Sequence, residues 1–280
     1  MPELPEVEVT RRALAPEVEG GVVRALVVRE ARLRWPVSAD LPKRLAGHRV
    51  LRLDRRGKYL LWRFEKGTLI SHLGMSGSWR VHFDAAPAPG PHDHADLIIE
   101  QARGLRILRL TDPRRFGALL WQRGGERGLQ RNALLAHLGI EPFDSRFDAA
   151  FLYQRTRGRR SSIKQVLLAG DIVVGVGNIY ASESLFHAGI DPRTAADRLS
   201  RPRCANLVQA IRAVLAQAID AGGSSLRNFI GADGRSGYFM LDAWVYERNG
   251  LACRRCQSAT VRRVVQSGRA TYFCPHCQRR

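Results

Sequence analysis

The sequence predicts a multidomain α+β protein: an N-terminal antiparallel β-sandwich led by one helix, a helical domain, and a small unit built on four cysteines. Three observations predict it. Eight short apolar runs separated by turn residues fill the first half of the chain, the apolar spacing turns helical from about residue 132, and two Cys-x-x-Cys pairs lie near the end. With 280 residues there is length for more than one core. The expected divisions are 1–131, 132–244 and 245–280.

The first element is a helix through Val7, Arg11 and Leu14, entered at Pro5 and ended by Gly20-Gly21. The strand-like runs are Val22 to Val28, Val50 to Leu53, Tyr59 to Phe64, Thr68 to Leu73, Ser78 to Phe83, Leu97 to Glu100, Leu105 to Leu110 and Gly117 to Trp121. Short runs in this number suit a sandwich or flattened barrel. Residues 85–91, with three prolines, read as a surface loop, and the glycine-rich residues 123–131 as the end of the domain. Helices are expected at Asn132 to Leu138, Ala149 to Arg157, Ile163 to Leu168, Asn178 to Ala188 and Arg203 to Ala221. The last carries Leu207, Ile211, Val214, Leu215, Ala218 and Ile219 on one stripe, a core-packing pattern. Cys204 is expected to be a buried small residue.

Composition narrows the partner. The chain has 45 basic and 26 acidic residues, a formal charge of +19 and a pI near 11.0, so nucleic acid is the leading partner class. Arginine supplies most of that charge, lysine occurring only at 43, 58, 66 and 164. No signal-peptide core and no apolar run near 18 residues is present, so a cytoplasmic protein without a membrane partner is expected. Structural disulfides are rare there.

Four features carry chemistry. Removal of Met1 would expose the secondary amine of Pro2 beside Glu3 and Glu6. An α-amino group has a reference pKa of about 8 against about 10.4 for lysine, and a helix N-terminus disfavours its protonated form. Condensed with an aldehyde-like carbon, a secondary amine stays a cationic iminium, an electron sink, with Glu3 placed to move protons and Glu6 to steady the geometry. Taken alone, Pro-Glu-Leu-Pro-Glu is also an ordinary helix start. Cys253, Cys256, Cys274 and Cys277 have the spacing of a structural four-thiolate zinc site, with arginines around it suited to phosphate. Gly175-Val-Gly177-Asn178 opens a helix, an anion-site arrangement strengthened by Arg160 and Lys164 upstream. Finally, Met75 and Phe116 sit in loop-like stretches, either as ordinary core residues or as wedges that unstack a duplex.

Read together, Pro2 to Glu8, Gly57-Lys-Tyr-Leu60, His72 to Ser78, Thr111 to Gly117, Val174 to Glu183 and the four cysteines resemble the bacterial formamidopyrimidine-DNA glycosylases from end to end. The resemblance implies a helix-two-turn-helix motif within the helical domain, one structural zinc ion, no small-molecule cofactor and a monomer. It implies excision of oxidised purines from damaged double-stranded DNA followed by strand cleavage. By motif position it makes Pro2 the nucleophile and Glu3 the proton donor, with Lys58 serving β-elimination and Arg269 δ-elimination. His92, Arg114, Arg160, Lys164 and Asn178 match DNA-contacting positions, and Met75, Arg114 and Phe116 match the trio that fills the vacated stack. Residues 231–238 match a loop over the extruded base. Arg160 departs from the family's frequent lysine, which keeps the charge and alters its geometry. Two alternatives stay open: an endonuclease VIII-like enzyme for oxidised pyrimidines, against which Leu4 and the Met75/Arg114/Phe116 set argue, and a non-catalytic zinc-finger DNA-binding protein, against which Pro2, Glu3 and Lys58 argue.

Overall fold

The structure is a computed structural model and describes residues 2–224 and 242–280, so the expected loop at 231–238 lies outside the described residues. The described chain groups into two compact units. The first holds residues to Ala136 together with Ala221–Ser224, and the second holds His137–Asp220 together with 242–280. Compared with the expected divisions, the break moves to 136/137, residues 221–224 return to the first unit, and the cysteine unit joins the helices rather than standing apart.

In the first unit, helix α1 (Leu4–Val18) precedes two four-stranded antiparallel sheets. One has the order β1 (Val22–Val28), β6 (Asp93–Gln101), β7 (Gly104–Thr111), β5 (Ser78–Phe83). The other has the order β2 (Arg52–Arg56), β3 (Tyr59–Phe64), β4 (Gly67–His72), β8 (Ala118–Arg123). Alternation dictates the packing: Trp79 in β5, Leu97 and Ile99 in β6 and Leu108 and Leu110 in β7 point inward, meeting Leu60 and Trp62 of β3 and Leu69 of β4. The rings of Trp62 and Trp79 meet edge-on, their centroids 5.6 Å apart. Val7, Leu14 and Val18 of α1 join this core, as do Leu41 and Leu45 of the short helix α2 (Leu41–Leu45).

One expected helix is absent. Asn132 to Leu138 forms turns, and a short helix, α3 (Glu126–Gln130), forms instead in the glycine-rich stretch before it. The Asn132 side chain accepts the Leu134 N–H at 2.9 Å and donates to Gln122 at 2.8 Å, a local bonding pattern that competes with the helix.

The second unit contains α4 (Ala149–Thr156), α5 (Ile163–Ala169), α6 (Asn178–His187), α7 (Arg201–Asp220) and the hairpin β9 (Arg262–Gln266) with β10 (Arg269–Phe273). Asp148 caps α4, Ser162 caps α5, and Gly170 ends α5 in the left-handed conformation. The apolar stripe of α7 is buried as expected, along with Cys204. From the same helix Arg212 donates to the carbonyls of Pro142, Asp144 and Phe147 at 2.8–2.9 Å, fixing the loop before α4. No helix among the described residues is long and apolar enough to cross a membrane.

Candidate active site

Pro2 and Glu3 are buried immediately before α1, with Glu3 at its N-cap and Pro5 in its first turn. Glu6, with no solvent exposure, organises this start. One of its oxygens accepts the Glu3 N–H at 2.7 Å, and the other accepts both the N–H and the hydroxyl of Ser224 at 2.8 Å. Ser224 is 218 residues away in sequence and carried no signal of this role. One carboxylate thus pins both the residue after the amine and the strand of chain returning to it.

Lys58 is half-buried in the two-residue turn between β2 and β3. Gly57 takes the positive φ (56°) that the first turn position requires. The turn is tied to α1 through Arg55, which donates to Glu8 at 3.0 Å and to the Gly57 carbonyl at 3.0 Å. Burial alone would raise the Glu8 carboxyl, but the Arg11 and Arg55 guanidiniums outweigh it and hold it at about 2. His72, the cross-strand neighbour of Tyr59, is pushed down to about 4 by burial and by the Lys58 and Arg34 charges. Its Nδ1 accepts the Gly74 N–H at 3.0 Å, so the neutral ring carries its proton on Nε2. Sequence reasoning assigned this histidine no role. Its signal was a histidine at the end of a strand, directly before the Leu73-Gly74-Met75 turn.

The two wedge loops meet through Asp112, which is fully buried. One of its oxygens accepts the Ser76 hydroxyl at 2.6 Å, and the other accepts the Gly117 N–H at 2.7 Å. Its N–H donates to the carbonyl of His92 at 2.9 Å, and its carbonyl meets Nε2 of His94 at 2.8 Å. Gly74, at φ 62°, lies so close to the backbone of Phe116 that a Cβ there would come within 2.4 Å of it. Glycine is required at that contact. Met75 and Phe116 are 38% and 42% exposed, so the ordinary core reading fails for both. Arg114 is exposed with its guanidinium 4.8 Å from the Phe116 ring centroid. Arg115 between them holds φ 56°, a strained conformation for a residue with a side chain. His92 is exposed at the end of the 85–91 loop.

In the second unit, Arg160 is exposed, whereas Arg157 and Arg159 are engaged with the carbonyl of Leu199 and with Asp171. Asn178 is half-buried at the first position of α6, after Gly175 with φ 90°. Lys164 is placed otherwise than expected of a phosphate ligand, since it has no exposure and its ammonium donates to Asn178, Thr271 and Ala270. Arg269 is exposed at the start of β10, directly after a tight turn in which Ser267 and Gly268 both have positive φ.

The four sulfurs of Cys253, Cys256, Cys274 and Cys277 lie within 4.8 Å of one another. The separations are 3.9 Å for Cys253 to Cys277 and 3.8 Å for Cys256 to Cys274. Thiolates at about 2.3 Å from a tetrahedral metal would be about 3.8 Å apart, so the residues fit a four-sulfur metal centre. His276 is exposed, outside this set.

The sequence model of the formamidopyrimidine-DNA glycosylase N-terminal domain matches residues 1–119, and that of the same family's H2TH domain matches residues 138–230. The chain belongs to the formamidopyrimidine-DNA glycosylase family. The formamidopyrimidine-DNA glycosylases of Bordetella avium and Cupriavidus pinatubonensis are 58% and 57% identical to it. The alignments cover 100% and 99% of this chain and all of each relative. Among solved structures, MutM (Fpg) of Thermus thermophilus is 40% identical with a TM-score of 0.86, over 99% of this chain and 98% of that one. A Lactococcus lactis Fpg mutant, in complex with DNA containing Fapy-dG, is 33% identical with a TM-score of 0.88 over the whole of both chains. The family is one of DNA glycosylases with AP lyase activity, and α4 to α7 fall within its H2TH domain.

Proposed function

We propose that this chain excises 8-oxoguanine and formamidopyrimidines from duplex DNA through an iminium on Pro2, then cleaves the strand by β,δ-elimination. The observation that carries this reading is the buried Pro2-Glu3 pair, held at the start of α1 by Glu6. A nucleophile must be fixed as well as unprotonated, and few arrangements fix a terminal amine.

Extruding the damaged nucleotide costs a few kcal/mol and is cheapest at a damaged pair. With Met1 removed, the Pro2 nitrogen lone pair forms a bond to the sugar C1′ while the base leaves with the electrons of its glycosidic bond, and the proton shed by the Pro2 nitrogen balances the charge on the departing base. Glu3 gives a proton to the ring oxygen as the sugar opens, leaving a cationic iminium at C1′. The iminium draws electrons from the C2′–H bond, the proton passes to a base, and the 3′ phosphate departs. A second elimination releases the 5′ phosphate. Lys58 serves the first elimination and Arg269 the second, with His92, Arg114, Arg160 and Asn178 on the DNA. Met75, Arg114 and Phe116 fill the vacated stack, for which their exposure suits them. The four cysteines hold one zinc ion that organises the hairpin carrying Arg269 and takes no part in the chemistry.

Borohydride reduction during turnover should trap a protein–DNA adduct whose peptide map places the link at Pro2. A link at Lys58, or full activity in protein whose intact mass retains Met1, would refute the assignment. Glu3→Gln should lose base excision far more than cleavage of a preformed abasic site.

A further inference from the structure

We propose that Lys164 is a positioning residue that sets the amide of Asn178, and that it does not itself touch DNA. The inference rests on the reading of Asn178 as a phosphate ligand. Lys164 has no exposed surface, although it lies one position into α5 of a strongly basic protein. Its Nζ donates to Asn178 Oδ1 at 2.7 Å, to Thr271 Oγ1 at 2.7 Å and to the Ala270 carbonyl at 3.1 Å. An ammonium has three protons and no acceptor. Bonds to three acceptors inside the protein engage them, and reaching a phosphate would mean breaking these bonds.

The consequence falls on Asn178. A carboxamide can turn over about its last torsion and exchange its oxygen for its nitrogen. Beside an ammonium only the oxygen can face Nζ, which leaves Nδ2 the neighbouring carbonyl that Nζ also bonds. Nδ2 donates to the Ala270 carbonyl at 3.0 Å, with the Tyr246 hydroxyl at a longer 3.4 Å. Asn178 is the first residue of α6, where the backbone N–H groups of the helix start already favour an anion. Lys164 thereby fixes the nitrogen side of the amide: one N–H is held by Ala270, and the other, at the long 3.4 Å contact to Tyr246, is the one a phosphate would take. It also bonds two consecutive residues of β10, so the hairpin and the α6 start share one reference point. The α5 start adds to this grip: Gln266 Nε2 donates to Ser162 Oγ at 2.9 Å, and Gln165 bonds Ser267.

The test is a double-mutant cycle of Lys164→Met and Asn178→Ala, read as Kd for duplex containing a tetrahydrofuran abasic analogue across a salt series, with zinc content measured on each variant. Lys164→Met should weaken binding about tenfold, one mis-set hydrogen bond to a charged group. In the Asn178→Ala background it should add less than twofold. The slope of log K against log salt should not change, because a neutral amide releases no counterion. A slope shallower by about 0.9 would overturn the proposal, since Lys164 or a displaced Arg269 would then be the lost phosphate contact. Effects that multiply in the double variant would overturn it too. Should Lys164→Met fail to fold, Asn178→Asp decides: a carboxylate beside the buried ammonium should melt higher than Asn178→Ala while binding DNA no better. Melting at or below Asn178→Ala would refute the contact. Borohydride trapping by the wild type is the control, because its failure would remove the function while leaving the Lys164–Asn178 geometry untouched.

Discussion

Replacing Glu6 by Gln removes a charge and one oxygen acceptor while keeping the volume, and the geometry lets the cost be worked out. The fully buried carboxylate accepts at least three hydrogen bonds, two of them from the backbone N–H groups of Glu3 and Ser224, one on each oxygen. Whichever way the amide turns, its NH2 faces one of those N–H groups, donor to donor. The Ser224 hydroxyl can rotate to accept, but a backbone N–H cannot. One buried donor is therefore orphaned, at about 1–3 kcal/mol, and the two remaining bonds drop from charged to neutral strength, about 1 kcal/mol each. The sum is about 3–5 kcal/mol, which for a unit of this size lowers melting by at least about 6 °C. If half of it falls on the Glu3 end, alignment of the Pro2 amine should suffer by roughly 10- to 100-fold in rate. Single-turnover cleavage of a preformed abasic site, with borohydride trapping in parallel, measures that loss directly. Melting within about 1 °C of wild type together with trapping within about twofold would refute the claim that Glu6 fixes the N-terminus.

Other outcomes follow from the same geometry. Cys274→Ser, or removal of the metal by chelation, should release zinc and abolish DNA binding while the β-sandwich keeps its own melting transition; a metal-free preparation that cuts DNA normally would contradict this. Arg114→Ala should erase one to two decades of preference for 8-oxoguanine opposite cytosine over adenine, because a guanidinium matches the acceptors of an orphaned cytosine and meets the adenine amino group donor to donor. Single-turnover excision from both pairs measures it, and unchanged discrimination would leave Arg114 at most a phosphate contact. Acid should unfold the first unit by a defined route. Burial would raise the Asp96 carboxyl, but Arg109 and Arg29 hold it at about 2, as Arg11 and Arg55 hold Glu8. An unfolded chain titrates these groups near 4, so their stabilisation is complete above that pH and is lost as pH falls toward 2. Asp96→Asn should melt lower at pH 7 and lose less between pH 5 and pH 3, and parallel melting curves would contradict the assignment.

The strands were legible because alternation in a half-buried sheet is local: β1, β3 and β5 begin and end where the apolar runs do. The cluster of four cysteines was legible for the same reason, the spacing of the two pairs being what brings the sulfurs together. Asn132 to Leu138 misled because helical spacing was present while an asparagine side chain competed for the backbone. Lys164 misled more instructively. A lysine among arginines, before a glycine-opened helix, reads as a surface cation, and only the long-range return of Ala270 and Thr271 turns its environment inward. Ser224 left no trace because its partner is a carboxylate at the other end of the chain. Residues whose role depends on what sits beside them in space, rather than in sequence, were the ones missed.

The shared grip of Asp112 on two loops couples their movement, and with it the proposed insertion into DNA. Ser76 belongs to the loop of Met75, Gly117 to that of Phe116, and both bond the same buried carboxylate. If either loop withdrew alone, an oxygen of the buried Asp112 carboxylate would lose its hydrogen bond, so the state with one loop advanced and the other withdrawn is the costly one. The two loops form a single blade. If the loops enter DNA as proposed, a helix that resists one edge would resist the whole, and an intact step would be told from a weakened one by one collective move summed over Met75, Arg114 and Phe116 rather than by three separate trials.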